Sequence, residues 1–421
     1  MIFCRPAAGC FTMRGQLGLE DGLLPAGKGM AGLPGIIRAG REHAASSEES
    51  VADSVSGTAK GTPDQGGERL EREEGGKPAA GKAAEHGAER EAAVAERLDN
   101  GWFRVKVPLP YSLRYVNSYL VPETDGSWTL IDPGLHTAEC RDIWLQELDR
   151  LGIRIRDIGR ILLTHQHPDH YGLAGWFQQQ AGCPVLMTAE AGRYARRLWG
   201  SGSGFAAELT GWFRNHGMPE ELLDQLGPHL ASFRERVEPQ PRLTDLEPGS
   251  RLDMGGESWE IIDAPGHAGG GVCLYSAASL TLIAGDQVLP RITPNISLIP
   301  GTEEDPDPLA SYLDSLRGLS GLETKRVLPG HRDPFADAGR RAMEIIAHHE
   351  RRLEHLRRLL AEGPASAFDL CEREFGTHLR HNIHNLRFAM SETLAHLAWL
   401  ARRGEAAVSG PDGGPWMYAS A

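Results

Sequence analysis

The feature that most constrains this chain is Thr164-His165-Gln166-His167-Pro168-Asp169-His170, which follows directly on the apolar run Ile161-Leu162-Leu163. Three imidazoles and one carboxylate fall within six residues. An apolar run that stops at such a cluster predicts a buried strand opening into a loop, with helix formers from about residue 169 onward. The strand fixes the backbone, and the loop lets alternate side chains turn toward one point. Neutral imidazole and carboxylate are the donors zinc prefers where no thiolate is offered.

The same device recurs along the chain. Trp128-Thr129-Leu130-Ile131 ends in Asp132-Pro133-Gly134, and Trp259-Glu260-Ile261-Ile262-Asp263 leads to Ala264-Pro265-Gly266-His267. Thr281-Leu282-Ile283-Ala284 leads to Gly285-Asp286, and Arg326-Val327-Leu328 to Pro329-Gly330-His331. Glycine permits the sharp turn and close backbone approach that such ends need. Collected, the strand ends give His165, His167, Asp169, His170, His267, Asp286 and His331. Five imidazoles and two carboxylates are enough for two metal sites. Paired ions about 3.5–4 Å apart need a bridging ligand and a shared water. One ion lowers the pKa of bound water to about 7, and the other stabilises developing charge. Asp286, with two oxygens to offer, suits the bridge.

The first 97 residues read differently. Between Phe11 and Trp102 there is no aromatic residue, and Ala, Gly, Glu and Ser dominate. Such a segment cannot offset its ordering entropy by apolar burial, so 1–97 is expected to be disordered and of low complexity. A short helix over 85–98 fits its Ala, Glu and Arg content. The segment is either an interaction tail or a stretch upstream of the true translation start.

Order begins with strands over 102–107, 117–121 and 128–131. A helix over 137–151, a strand over 160–163, a helix over 169–180 and a strand over 185–187 follow. From about 189 to 240 the pattern is wholly helical, an insertion of the kind that forms lids and substrate walls. Its aromatics Trp199, Phe205, Trp212 and Phe213 each read singly as ordinary packing, and neither Arg193 nor Tyr194 is expected by itself to face substrate. Later strands cover 271–275 and those before His267, Asp286 and His331, with a helix over 308–319. From 336 the chain reads as helices over 338–362, 364–375 and 386–403, then a polar tail whose Trp416-Met417-Tyr418 suits a β-wing. Three helices and a wing resemble a winged helix. His348, His349, His355, His381, His384 and His396 read as surface or packing residues.

A net charge of −13 argues against coating nucleic acid or anionic membrane by bulk charge. Cys4, Cys10, Cys140, Cys183, Cys273 and Cys371 are scattered, with no Cys-x-x-Cys, the pattern of a reducing compartment. No run of about eighteen apolar residues predicts a membrane span. The first thirty residues are broken by Arg5, Arg14, Glu20 and Asp21, unlike a signal peptide. A cytoplasmic location is the expectation.

His165-Gln166-His167-Pro168-Asp169-His170 with His267, Asp286 and His331 resembles the metallo-β-lactamase superfamily, in order and spacing, over about 102–335. The resemblance implies an α/β fold: an αββα sandwich over 98–335 carrying the helical insertion, then a winged-helix-like domain over 336–421. It assigns His165, His167 and His267 to a first metal, and Asp169, His170 and His331 to a second. Asp286 then bridges, Asp132 orients a ligand from behind, and Asp169 and Asp286 are the catalytic carboxylates. Two Zn2+ ions are expected, with iron or manganese as alternatives. Glyoxalase II-like hydrolases share the full ligand set, and the lactamase-β-like proteins carry such a C-terminal domain. Those relatives usually have Thr or Ser and then Pro after the third histidine; here Ala268 and Gly269 follow His267.

The implied reaction is hydrolysis of a small ester or thioester by metal-bound hydroxide. One alternative is a single-strand endoribonuclease. Arg351, Arg352, Arg357, Arg358, Arg380, Arg387, Arg402 and Arg403 would then track phosphates, although Glu350, Glu354, Glu362, Asp369, Glu372 and Glu374 interleave with them. A mononuclear iron dioxygenase would keep a similar histidine set. Di-iron flavoprotein relatives have a carboxylate in place of His167 and an appended flavin domain, which this sequence does not suggest. A non-enzymatic winged-helix DNA binder sits poorly with a complete ligand set. The expected partner is a small-molecule ester or thioester, with RNA as the alternative and no membrane; a homodimer is compatible with the sequence.

Overall fold

Adjacent residues on the central strands are buried on both faces, which only a layered sandwich provides. In Leu120-Val121, Leu130-Ile131 and Ile161-Leu162 every side chain is shut off from solvent. Successive side chains of a strand point to opposite faces, so each pair needs a covered sheet above and below. A computed structural model describes residues 95–301, 305–410 and 414–421.

Sheet one holds β1 (Ala95–Arg97), β2 (Phe103–Pro108), β3 (Tyr115–Pro122), β4 (Trp128–Ile131), β5 (Ile158–Leu162), β6 (Val185–Met187) and β7 (Leu243–Asp245), in that order. Its pairings are antiparallel up to β4 and parallel from there on. Sheet two holds β8 (Arg251–Met254), β9 (Glu257–Asp263), β10 (Val272–Ser276), β11 (Thr281–Gly285) and β12 (Arg326–Pro329), ordered β12-β11-β10-β9-β8. The β11–β12 pair is parallel and the others antiparallel.

Three apolar clusters define the layers. Val107, Leu120, Leu130 and Ile161 of sheet one pack under Trp144 of α1 (Ala138–Arg150). Phe177, which follows α2 (Pro168–Tyr171) on α3 (Ala174–Ala181), joins them. Tyr119, Val121, Ile131 and Leu162 face Trp259, Ile261, Leu274 and Ile283 between the sheets. Each such side chain contributes about 1.5–3 kcal/mol on burial.

Between β6 and β7 lie α4 (Ala189–Trp199), α5 (Phe205–Asn215), α6 (Glu220–Leu223) and α7 (Leu226–Arg234). The outer face of sheet two, with Cys273, Leu282 and Val327, packs on α8 (Pro308–Ser320) and α9 (Ala338–Ala361). The chain then runs through β13 (Ala365–Ser366), α10 (Ala367–Phe375), α11 (Ile383–Arg402), β14 (Ala406–Ser409) and β15 (Met417–Ser420), a three-stranded sheet ordered β13-β15-β14. These helices share one core with the insertion and sheet two, Leu394 and Leu397 clustering with Phe213 and Leu309. Backbone bonds fasten the insertion to the C-terminal elements: Trp416 N–H donates to Asn215 at 2.7 Å and Phe368 N–H to His216 at 3.1 Å. The fold is therefore the expected αββα sandwich with a helical C-terminal region.

Several elements differ from expectation. Residues 95–97, expected to lie in the disordered segment 1–97 and in a short helix over 85–98, instead form a strand paired with β2, and Leu98 is not helical; the 1–94 part of both expectations lies outside the described residues. The single helix expected over 169–180 is two, because Leu173 N–H leaves the helical ladder to donate to Gly134 at 2.8 Å. Residues 365–366, expected as helix, pair with β15 instead. No helix among the described residues is long and apolar enough to cross a membrane.

Candidate metal centre

All eight expected site residues lie just beyond strand ends and on one side of the sandwich. β5 leads to His165 and His167, and α2 carries Asp169 and His170. β9, β11 and β12 lead to His267, Asp286 and His331, and β4 to Asp132. Ligand atoms of His165, His167 and His267 lie within 4.8 Å of one another, as do those of Asp169, His170 and His331. Asp286 sits between the groups, 3.4 Å from His170 Nε2, 3.3 Å from His331 Nε2 and 3.8 Å from His267 Nε2.

Four imidazoles are oriented by an acceptor behind them. His267 Nδ1 meets the Asn295 carbonyl at 2.9 Å, and His331 Nδ1 meets that of Tyr115 at 2.9 Å. His170 Nδ1 meets Asp132 Oδ2 at 3.0 Å. Carbonyls and carboxylates only accept, so Nδ1 carries the proton and Nε2 turns its lone pair inward. Thr164 does the same for His165 at 2.9 Å, because its own hydroxyl proton goes to Asp132 at 2.6 Å. His167 differs, presenting Nδ1 to the group, 3.1 Å from His165 Nε2.

Nε2 of His170, His267 and His331 and Oδ1 of Asp286 are buried with no hydrogen-bond partner. Leaving such an atom unpaired costs about 1–3 kcal/mol. A cluster of them, all lone-pair donors converging on one point, fits a divalent metal of the zinc, iron or manganese kind. Electrostatics agree. Burial opposes charge on His170, but Asp286, Asp169 and Asp132 overcome it and raise the imidazole well above its ordinary value. Against the same penalty, Asp286 and Asp169 push His331 up to about 10. His167 is held down at about 3 by burial and by His267. A metal entering this site competes with protons on the first two.

Glycine is required at one wall. A Cβ on Gly330 would lie 2.2 Å from Asp286 Oδ1 and 2.6 Å from His170 Cε1. Two residues of β3 hold this turn: Asn117 Nδ2 donates to Pro329 at 2.9 Å and to Arg332 at 2.6 Å, and the Tyr119 hydroxyl donates to Pro329 at 2.8 Å.

The cluster opens into a cavity of about 430 Å³. Its walls are mostly apolar: Leu109, Leu113, Leu135, Trp199, Phe205, Phe233, Ile292 and Phe388. Two expectations are corrected here. Tyr194 faces this cavity, and so does His384, because α11 runs along its wall instead of presenting that turn to solvent. Trp199 and Phe205 line it too, whereas Trp212 and Phe213 do not; Arg193 lines a separate hollow with Arg196 and Arg242. The sequence reading missed Asn295 and Tyr115, which act through backbone carbonyls that leave no sequence signal. Thr164 could have been found from its place beside the first histidine.

Residues 111–331 match the metallo-beta-lactamase superfamily, and residues 353–421 match the metallo-beta-lactamase-like C-terminal domain. The chain is 28% identical over 307 residues to "Probable metallo-hydrolase YqjP" of Bacillus subtilis (strain 168), covering 70% of this chain and 90% of that protein. Among solved structures, a metallo-beta-lactamase family protein from Thermus thermophilus is 36% identical with a TM-score of 0.67, covering 76% of this chain and 99% of that one. A beta-lactamase domain protein from Burkholderia ambifaria is 33% identical with a TM-score of 0.70, covering 79% and 95% respectively. With the layered fold, the strand-end cluster and a family match over half its length, this chain belongs to the metallo-β-lactamase superfamily.

Proposed function

We propose that this protein is a dinuclear zinc hydrolase acting on a small ester or thioester. The observation that carries the reading is the convergence of unpartnered imidazole Nε2 atoms and Asp286 Oδ1 at one end of an apolar cavity. His165, His167 and His267 would hold one ion, Asp169, His170 and His331 the other, and Asp286 both. Bound there, such ions supply a water nucleophile at neutral pH and stabilise charge developing on the carbonyl oxygen. The chain's own part is to fix five ligating imidazoles, exclude water with Trp199, Phe205, Phe233 and Phe388, and shape the acyl site. "Probable metallo-hydrolase" is also the name of the Bacillus relative.

We read 98–335 as the hydrolase domain and 336–421 as a winged-helix-like domain that completes the cavity wall. The ribonuclease alternative is less well supported, because much of the basic character is neutralised. Arg352 pairs with Glu374 and Glu392, Arg357 with Glu405, Arg380 with Glu372, and Arg403 with Asp307. The cysteines Cys140, Cys183, Cys273 and Cys371 are buried and free, which suits a reducing, cytoplasmic setting.

The test is turnover of an acyl-thioester panel and of single-stranded RNA by zinc-loaded protein, with Asp286→Ala as the blank. Thioester cleavage lost in the variant is the expected result. RNA cleavage lost in the variant would replace it with the nuclease reading. If neither substrate is touched, metal content by mass spectrometry decides whether iron, and hence a dioxygenase, takes its place.

A further inference from the structure

The first turns of α11 place a cation in the cavity wall without a counter-ion. His384, Asn385, Arg387 and Phe388 all line the cavity that holds the metal cluster. Among the described residues no carboxylate pairs with Arg387, and its Nε is buried with no hydrogen-bond partner. Its neighbours are aromatic instead: the guanidinium lies 4.1 Å from the Phe388 ring centre and 5.6 Å from that of Phe233. The arginines 352, 357, 380 and 403 of the same C-terminal region do pair with carboxylates, whereas Arg387 does not.

A second buried atom sits one turn away. His384 Nδ1 also has no partner, and its ring is stacked on Tyr111 at 4.5 Å with an interplanar angle of 4°. Stacking fixes the ring plane, and a neutral imidazole can still donate from Nδ1. Arg236 adds positive potential behind it, its guanidinium 5.8 Å from the Tyr111 ring centre. An unpaired guanidinium offers a planar fork of N–H donors that matches the paired oxygens of a carboxylate or phosphate. Burial without a carboxylate pulls Arg387 down to about 10, a strain that an incoming anion relieves.

We propose that Arg387, assisted by His384, is an oxyanion subsite, so that the substrate carries a carboxylate or phosphate in addition to the bond that is cleaved. This rests on the hydrolase reading above and narrows its substrate class to acidic acyl compounds. The acidic group can belong to the acyl chain, as in an ω-carboxyacyl thioester, or to the leaving group, as in a phosphate-bearing thiol.

The test uses zinc-loaded wild type, Arg387→Gln and Arg387→Lys on three thioesters: glutaryl and valeryl N-acetylcysteamine, and valeryl-coenzyme A. We expect Arg387→Gln to lower the ratio of kcat/KM for an acidic over the neutral substrate about ten- to hundredfold, with partial recovery in Arg387→Lys. Loss confined to the glutaryl compound identifies a carboxylate on the acyl chain; loss confined to the coenzyme A compound identifies phosphate. Equal turnover of all three, unchanged in Arg387→Gln, overturns the subsite and leaves the hydrolase intact. If wild type cleaves none of them, the thioester form of the hydrolase reading fails by itself, and calorimetric binding of glutarate and inorganic phosphate decides the subsite. Binding that is weakened about tenfold or more in Arg387→Gln supports it, and binding unaffected by the substitution, or absent from wild type, overturns it.

Discussion

Asn295 donates its side-chain amide to Glu392 Oε2 at 2.8 Å, while its own carbonyl accepts the Nδ1 proton of His267 at 2.9 Å. One residue thus couples a candidate metal ligand to α11. The chain of contacts continues, because Glu392 pairs with Arg352 of α9, and Arg352 with Glu374 of α10 at 3.1 Å. The C-terminal helices therefore hold the loop that orients His267. Outer partners of this kind are worth about 10–100-fold in metal affinity. Asn295→Ala keeps the carbonyl but releases its loop from Glu392. Metal affinity, read by chelator competition, is expected to fall about tenfold with the fold preserved by circular dichroism. Unchanged affinity would show that the backbone positions the carbonyl unaided.

Gly330→Ala tests the tightest wall of the centre. The added Cβ would come within 2.2 Å of Asp286 Oδ1, closer than atoms of a folded chain can lie. The β12 end cannot retreat easily, since Gly330 N–H is bonded to Gly285 at 2.7 Å and Asn117 N–H to Gly330 at 2.6 Å. Asp286 must move instead. The expected outcome is loss of most bound metal, measured by mass spectrometry after dialysis, with hydrolysis falling at least tenfold. Full metal content would mean that Asp286 has no part in holding it.

Asp132 takes a left-handed backbone conformation, φ 49°, and uses both oxygens. Oδ1 accepts from Thr164 N–H at 2.8 Å, and Oδ2 from the Thr164 hydroxyl at 2.6 Å and His170 Nδ1 at 3.0 Å. Asp132→Asn removes the charge and replaces one acceptor with donors. Its amide then faces an N–H or O–H it cannot accept from, and His170 loses the partner that fixes its tautomer. Metal affinity is expected to fall about 10–100-fold. Chelator competition with one and two equivalents of zinc would check this, and a wild-type titration would count against the role.

Most of the sandwich was legible because its strands are apolar runs, and β4, β5, β9, β11 and β12 announce themselves a second time by the His or Asp that follows. β7 and β8 escaped notice because they are short and carry exposed charges, as in Arg251 and Asp253. The candidate ligands, which the fold brings together, were legible from type and spacing. Their orientation was not, since the Asn295 and Tyr115 carbonyls could belong to any residue. His384 reads from the sequence as a surface or packing residue, and Arg387, among arginines interleaved with carboxylates, as part of a solvated helix face. Only the packing of α11 against the insertion turns that face into a cavity wall, and such long-range packing has no local periodicity to betray it.

His216 offers a pH test away from the metal centre. It ends α5, is 3% exposed, and its Nδ1 lies 3.0 Å from the Tyr418 hydroxyl of β15. The neighbouring ring is Trp212, centred 5.8 Å away. Burial pulls its pKa down to about 3, whereas an unfolded histidine titrates near 6.5. Between these values the unfolded chain binds a proton that the folded chain does not. This contribution to stability is therefore fully present above about pH 6.5 and is lost as pH falls from there toward 3, at up to about 1.4 kcal/mol per pH unit. His216→Asn keeps a polar partner for Tyr418 but cannot titrate. Urea unfolding of both proteins at pH 5, 6, 7 and 8 should give a shallower acid limb in the variant, by up to one proton. Parallel limbs would mean that His216 takes up its proton without leaving the fold, and that the joint between the insertion and β15 opens to water well before the rest of the molecule.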